Sequence, residues 1–170
     1  MKNNIILIGF MGTGKSAVGA ELASLSGLTA VDTDTLIVEQ QGKSIPLLFA
    51  EHGEPYFRQC EHEVLAQVLT QDEQIISTGG GAVLAEKNRQ LMQDNGFVVS
   101  LFAHAQTIID RIANDQNRPL IAGNVSEKVY NMLEQRQGAY AFAHLEIDTT
   151  DHTIEEVAKQ IWQAKLERVE

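Results

Sequence analysis

The sequence predicts a layered α/β fold with a mainly parallel sheet, and three features carry that prediction. Apolar runs alternate with stretches of helical period along the chain. The first run, Ile5-Ile6-Leu7-Ile8, is apolar at every position, as expected of a strand buried on both faces. Glycines and prolines mark the joints, where one element stops and the next begins. Parallel strands need crossover connections, so five strands interleaved with helices point to this architecture.

Each element follows from its local pattern. After the first strand, Val18, Leu22 and Leu25 recur at i, i+4 and i+7 and predict a helix that Gly27 stops. Thr29-Ala30-Val31 predicts a short second strand, and Gly42 closes the helical stretch behind it. Ser44 with Pro46 just inside opens a short helix, and Pro55 opens a longer one with Phe57, Cys60, Val64 and Val68 on one face. Ile75-Ile76-Ser77-Thr78 predicts the third strand, which runs into three glycines. A helix stopped at Gly96 precedes a strand over 97–102, and a helix carrying Ile108, Ile109 and Ile112 follows it. The last strand is expected at 144–147. Thr153 with Glu156 is a capping-box signature for the final helix, whose packing stripe is Ile154, Val157, Ile161 and Trp162. Residues 114–124 are polar and aperiodic around Arg118-Pro119, which predicts a mobile loop with a function.

Composition bounds the answer. A chain of 170 residues, 44% hydrophobic, fits a single domain over 1–170 that buries about 70% of its unfolded surface without a disulfide or metal staple. Cys60 is the only cysteine, which excludes an internal bridge and suits a reducing compartment. It falls on an apolar helix face and reads as a core residue. Apolar runs fall far short of the ~20 residues of a membrane helix, and the N-terminal stretch lacks a signal-peptide pattern. A cytoplasmic protein without a membrane partner is expected. The 23 acidic and 13 basic residues give a net charge of −10, which repels phosphate backbones and argues against nucleic-acid binding. The five histidines have no metal-ligand spacing.

The strongest motif is Gly9-Phe10-Met11-Gly12-Thr13-Gly14-Lys15-Ser16, which satisfies G-x-x-x-x-G-K-[ST]. Its glycines let successive backbone N–H groups turn toward phosphate oxygens, and the helix that starts near Lys15 adds its positive end. Lys15 is placed to reach the β- and γ-phosphates and the Ser16 hydroxyl to ligate Mg²⁺. A glycine turn that binds nothing is the alternative, and the flanking buried strand and amphipathic helix argue against it. Neither an N-K-x-D tetrad nor a D-x-x-G switch occurs, so a GTPase-type switch fits poorly. A small-molecule kinase needs instead an acceptor site beside the γ-phosphate.

Several further segments bear on that need. Asp32-Thr33-Asp34 follows the second strand, Arg58 lies in Glu54-Pro55-Tyr56-Phe57-Arg58-Gln59-Cys60-Glu61, and Gly79-Gly80-Gly81 follows the third strand. Arg118-Pro119-Leu120 and Arg136 with Tyr140 come later. With the phosphate motif, and in this order, these residues closely resemble the shikimate kinase family over nearly the whole chain, as far as Ile147-Asp148-Thr149. The resemblance implies a P-loop kinase-type three-layer fold with a five-stranded parallel sheet and a lid loop. It also implies a monomer that transfers the ATP γ-phosphoryl group to the 3-hydroxyl of shikimate, with Mg²⁺, in aromatic amino acid biosynthesis.

Roles follow residue by residue. Gly12, Thr13, Gly14, Lys15, Ser16 and Ala17 form the nucleotide-phosphate stretch, with Ala17 standing where many members carry Thr. Asp34 resembles the acceptor-binding carboxylate and base, and Asp32 a water-mediated Mg²⁺ partner; either could instead cap the next helix. Arg58 and Arg136 resemble a clamp on the shikimate carboxylate, since guanidinium groups pair with carboxylates through two parallel hydrogen bonds. Spacing alone favours Arg58 as a surface ion pair with Glu54 or Glu61 and Arg136 as a solvated helix residue over Tyr140. Gly79, Gly80 and Gly81 line the acceptor pocket by resemblance, or make a tight turn. Arg118 resembles a lid arginine that spreads charge on the transferring group. Arg111 resembles the adenine-stacking residue, or serves as a helix C-terminal cation. Asp148 and Thr149 are expected to border adenine, mostly through backbone. Two competing readings are a gluconate-kinase-like enzyme and a nucleotide-binding module without transfer activity.

Overall fold

The computed structural model describes residues 2–114 and 124–168. Strands β1 (Ile5–Gly9), β2 (Thr29–Asp32), β3 (Gln74–Ser77), β4 (Phe97–Phe102) and β5 (Leu145–Asp148) form one parallel sheet in the order β2-β3-β1-β4-β5. The central position of β1 explains its composition, because all five of its residues are buried between two helical layers. Asp32 pairs with Ser77, Leu7 with Ser77 and Val99, and Gly9 with Leu101. The segments that follow β1, β2 and β3 therefore leave one carboxyl edge side by side, where open α/β sheets bind ligands.

The pleat divides the core in two. Ile5, Leu7, Ile75, Val99 and Leu101 pack on α1 (Lys15–Ser26) and α8 (Ile154–Glu167) through Val18, Leu22, Val157 and Ile161. Ile6, Ile8, Ile76 and Val98 face α2 (Thr33–Gln41), α3 (Ile45–His52), α4 (Glu54–Val68) and α5 (Glu86–Asn95). Between β3 and α5 lies a 3-10 turn, Ala82–Leu84. A third cluster joins Phe10 to Ile108, Ile109 and Ile112 of α6 (Ala105–Ala113) and Val129 of α7 (Val125–Gln135). Phe57, Cys60, Val64 and Val68 are all buried, as the stripe in α4 predicts. The Thr153–Glu156 capping box forms at the start of α8.

Three expectations need correction. Strands β2, β3 and β5 each differ from their predicted bounds by one residue. Leu25 is exposed: the buried arc of α1 runs through Val18, Leu22 and Gly19, and a seven-residue step falls about 20° short of two turns, on the far side of Val18. Ile154 is exposed too, because it opens α8 beside a cleft rather than over the sheet. The sequence reading gives no bounds for the helix at Arg136; α7 supplies them, with Asn124 capping it by accepting from Glu127 N and Val125, Val129, Met132 and Leu133 on its buried side. Asn114 ends α6 and Asn124 begins α7. Of the predicted lid over 114–124, residues 115–123 with Arg118 lie outside the described residues.

His144 fastens the connection into β5. Its backbone N–H donates to Val98 O at 2.8 Å, while Val98 N–H donates to its Nδ1 at 3.0 Å. Nδ1 can accept only while unprotonated, and burial together with Arg168 holds the imidazole below its ordinary value of 6.5. Above that value the folded and unfolded chains are both neutral and the stabilisation is complete. As pH falls through it, the unfolded chain takes up a proton that the folded chain refuses, so stability is lost. In urea unfolding, wild type should exceed His144→Leu in stability by more at about pH 7.5 than at about pH 5.5. A gap independent of pH would mean that another group titrates.

Candidate active site

The loop after β1 has the shape its sequence predicts. Gly12 and Gly14 take left-handed φ values of 76° and 96°, and Gly14 stands at the N-terminus of α1. No side chain caps that terminus and its first turn carries no acidic residue, so its N–H groups and positive dipole end are available to an anion. Lys15 Nζ lies across the loop, donating to Gly9 O at 2.7 Å and Phe10 O at 2.9 Å. Thr13 Oγ1 donates to Phe10 O at 2.7 Å and closes the turn.

Arg111 ties this loop to the segment after β5. Its Nη1 donates to Gly12 O at 3.0 Å and its Nη2 to Thr149 O at 2.9 Å, while Thr149 Oγ1 donates to Thr13 O at 3.0 Å. A cleft of about 290 Å³ opens beside it, lined by Thr13, Gly14, Ala17, Arg111, Thr149, His152 and Ile154 among others. Thr149 rather than Asp148 borders this cleft. The Asp148 carboxylate accepts from the backbone N–H and hydroxyl of Thr150, which hold it below the usual carboxylate range.

Ser16 and Asp32 meet across the strand ends, with Ser16 Oγ donating to Asp32 Oδ2 at 2.7 Å. The other carboxylate oxygen of Asp32 accepts from Asp34 N and Thr35 N at 3.0 and 3.1 Å, so Asp32 caps α2 and faces Ser16 at once. A hydroxyl and a carboxylate beside the phosphate loop are hard oxygen donors that fit Mg²⁺.

The second half of the site forms around residues 79–81. A Cβ on Gly79 would lie 2.8 Å from Asp34 Oδ1 and 3.0 Å from Glu61 Oε1. On Gly80 it would lie 3.3 Å from Arg136 Nη1 and 3.4 Å from Met11 N, and on Gly81 2.5 Å from both terminal nitrogens of Arg58. Side chains from α2, α4 and the end of α7 thus converge on three bare residues next to the phosphate loop. Tyr140 donates its hydroxyl to Gly80 O at 2.8 Å, and the Arg136 guanidinium lies 5.4 Å from the Phe10 ring centroid. Among the described residues, Arg136 Nη1 and Glu61 Oε1 are buried without a hydrogen-bond partner. Each such atom costs roughly 1–3 kcal/mol unless a ligand satisfies it.

The structure joins Lys15, Ser16, Asp32, Asp34, Arg58, Gly79, Gly80, Gly81 and Arg136 along one edge. Arg58 makes the ion pairs that its spacing suggests, with exposed Glu54 at 3.3 Å and with Glu61 at 2.9 Å. Sequence reasoning missed Glu61 as a site residue by treating it as one end of a surface pair. Its side chain is 2% exposed and occupies the same buried arc of α4 as Phe57, Val64 and Val68. A charged residue on that apolar arc was the signal.

A phosphate cup and a cationic acceptor pocket sharing the carboxyl edge of a parallel sheet define a P-loop kinase for small molecules. A family model described as Shikimate kinase matches residues 11–165. The chain is 44% identical to the shikimate kinase of Geobacter metallireducens over 93% of its own length and 89% of that relative. It is 40% identical to the Moorella thermoacetica enzyme over 96% and 95% of the two chains. The solved shikimate kinase of Acinetobacter baumannii, in complex with shikimate, superposes with a TM-score of 0.93 at 34% identity, covering 99% of this chain and 95% of that one. The chain belongs to the shikimate kinase family. A gluconokinase from Sinorhizobium meliloti, at 18% identity and a TM-score of 0.65, shares the fold alone.

Burial raises the Glu61 carboxyl and Asp34 adds to that, against the opposing pull of Arg58 and Arg136. Below its ordinary value of 4.5 both folded and unfolded chains hold the proton. As pH rises past it, the unfolded chain releases a proton that the folded chain retains, so folding is progressively disfavoured. Wild type should therefore lose stability relative to Glu61→Gln between about pH 4 and about pH 7 in chemical denaturation. A constant difference would show that Glu61 ionises normally in the fold.

Proposed function

We propose that the protein transfers the γ-phosphoryl group of ATP to the 3-hydroxyl of shikimate, giving shikimate 3-phosphate and ADP. The observation that carries this reading is the meeting of Arg58, Arg136 and Asp34 at Gly79–Gly81, within reach of the phosphate loop. Shikimate carries one carboxylate and three hydroxyls. Two guanidinium groups suit the acid, and one carboxylate suits the hydroxyls.

In this mechanism the N–H groups at Gly12–Ser16 hold the phosphates, and Lys15 leaves the loop carbonyls for the β- and γ-oxygens. Ser16 would hold Mg²⁺ directly and Asp32 through water; bound there, the ion neutralises charge on the phosphate oxygens. Arg136 and Arg58 fix the shikimate carboxylate, with Glu61 holding Arg58 from behind. Asp34 orients the 3-hydroxyl and takes its proton as the oxygen attacks the γ-phosphorus and the bond to the bridging oxygen of ADP breaks. The cleft beside Arg111, Ala17 and Thr149 takes the nucleoside. Arg118 is assigned to the transferring group by family resemblance, as the lid residue that adds charge and excludes water.

Asp34→Asn should lower kcat by about 10²–10⁴-fold while leaving ATP binding intact, measured by coupled ADP release; unchanged turnover would remove Asp34 from the chemistry. Gly81→Ala pushes the flexible Arg58 guanidinium aside without touching the backbone of the sheet. It should raise KM for shikimate about tenfold or more, with KM for ATP unchanged. A rise in KM for ATP would place Arg58 on the nucleotide. The product formed from ATP and shikimate, identified by mass and by the position of the phosphate, tests the whole reading, and turnover of gluconate without shikimate would overturn it.

A further inference from the structure

A second cleft, of about 300 Å³, lies behind the phosphate loop and has chemistry opposite to that of the acceptor pocket. Its apolar walls include Phe10, Phe102, Ile108, Leu133 and Tyr140. Ser100 and Glu146 form its polar part, and the β4–β5 register sets them directly opposite each other on one face of the sheet. Phe102, at the mouth, is 45% exposed, a large aromatic surface in water.

The polar groups have no internal role. Ser100 is 3% exposed, and among the described residues neither its hydroxyl nor the Glu146 carboxylate has a hydrogen-bond or ion-pair partner. Glu146 is exposed, and the Ser100 hydroxyl opposite it adds a second acceptor for a ligand's donor. Among the described residues no arginine, lysine or histidine lines the cleft, and Glu146 gives it a charge that disfavours anions. Aromatic walls likewise favour a cation attached to an apolar body. The volume stands at the small end of the range for small-molecule sites, about 300–1,000 Å³.

We propose that this cleft binds a small primary ammonium with an aromatic or aliphatic body, its charge on Glu146 and Ser100 and its body against Phe102, Ile108 and Leu133. Glu146 supplies the counter-charge at the open end, and the hydroxyl of Ser100 accepts a second N–H at the floor. Phe10 and Tyr140 are walls shared with the acceptor pocket, since one lies under Arg136 and the other bonds Gly80 O. Thr13 borders both this cleft and the one beside Arg111, but Ser100 and Glu146 line only this one, and its occupation does not depend on the roles proposed for Arg58, Asp34 or Arg136.

The test uses the whole protein with 2-phenylethylammonium as probe and 2-phenylethanol as its neutral counterpart, read by titration calorimetry and ligand-observed NMR. The expected result is saturable binding of the amine, with the alcohol about tenfold weaker, and binding undiminished by saturating shikimate and ADP. Glu146→Gln should weaken the amine about tenfold while leaving basal kinase activity unchanged. Ala141→Leu, a filling substitution at an exposed position on the rim, should abolish binding sterically without disturbing the core. Absence of saturable binding, equal affinity for amine and alcohol, indifference to Glu146→Gln, or displacement by shikimate or ADP would each overturn the proposal.

Discussion

Two adjacent parallel strands end side by side, and glycines stand where each chain must turn or leave room. After β1 the backbone must curl through left-handed conformations to turn its N–H groups inward. After β3 the backbone must leave room for guanidinium and carboxylate groups at distances that a Cβ would occupy. The rest of the site depends on this absence of side chains. Arg58, Arg136, Asp34 and Glu61 come from distant positions in the chain, and they meet because residues 79–81 take up almost no space. Fixed relative placement of reactants is worth several kcal/mol of barrier in bimolecular chemistry, and here strand pairing supplies the fixed frame.

Charge is arranged against the overall field. The chain carries −10, yet four of its six arginines are at 58, 111, 118 and 136, and the three that are described lie within hydrogen-bonding or near-contact range of the two clefts. Buried Glu61 and half-buried Asp34 stand beside the two cations of the acceptor pocket. Glu61 is held close to Arg58 at 2.9 Å, yet burial disfavours its ionised form. An interior with unsatisfied polar atoms is a poor arrangement for stability and a good one for a ligand that brings its own carboxylate and hydroxyls.

How much of this was legible depended on whether a residue's setting was local. The all-apolar β1, the phosphate motif, the buried arc of α4 and the Thr153–Glu156 box are patterns a few residues long, and the structure repeats them. The start of helix α7 is less legible although its period is present, because the aperiodic stretch ending at Asn124 runs directly into the regular one beginning there. Leu25 and Ile154 occupy helical positions with the right spacing but outside what the sheet covers, which no spacing reveals. Glu61 failed for the opposite reason: i+3 from Arg58 suggests a solvated pair, and only burial shows that the pair closes a pocket. Resemblance to a family supplied Arg58, Arg136 and Gly79–Gly81, whose convergence lies in tertiary structure alone.

The phosphate loop is gripped from both sides, and this links the two clefts. On one side Arg111 and Thr149 bond Gly12 O and Thr13 O. On the other, Gly80 leaves room that a Cβ would take up at 3.4 Å from Met11 N, and Arg136 lies over Phe10. A displacement of the loop toward either cleft would therefore alter contacts in the other. Because in-line transfer requires donor phosphorus and acceptor oxygen to be aligned within a fraction of an ångström, a shared loop held by opposing contacts is a better reference than two independently anchored pockets. Arg111 of α6 and Arg136 at the end of α7 reach that loop from separate elements, and the acceptor site inherits the rigidity of β1 and β3.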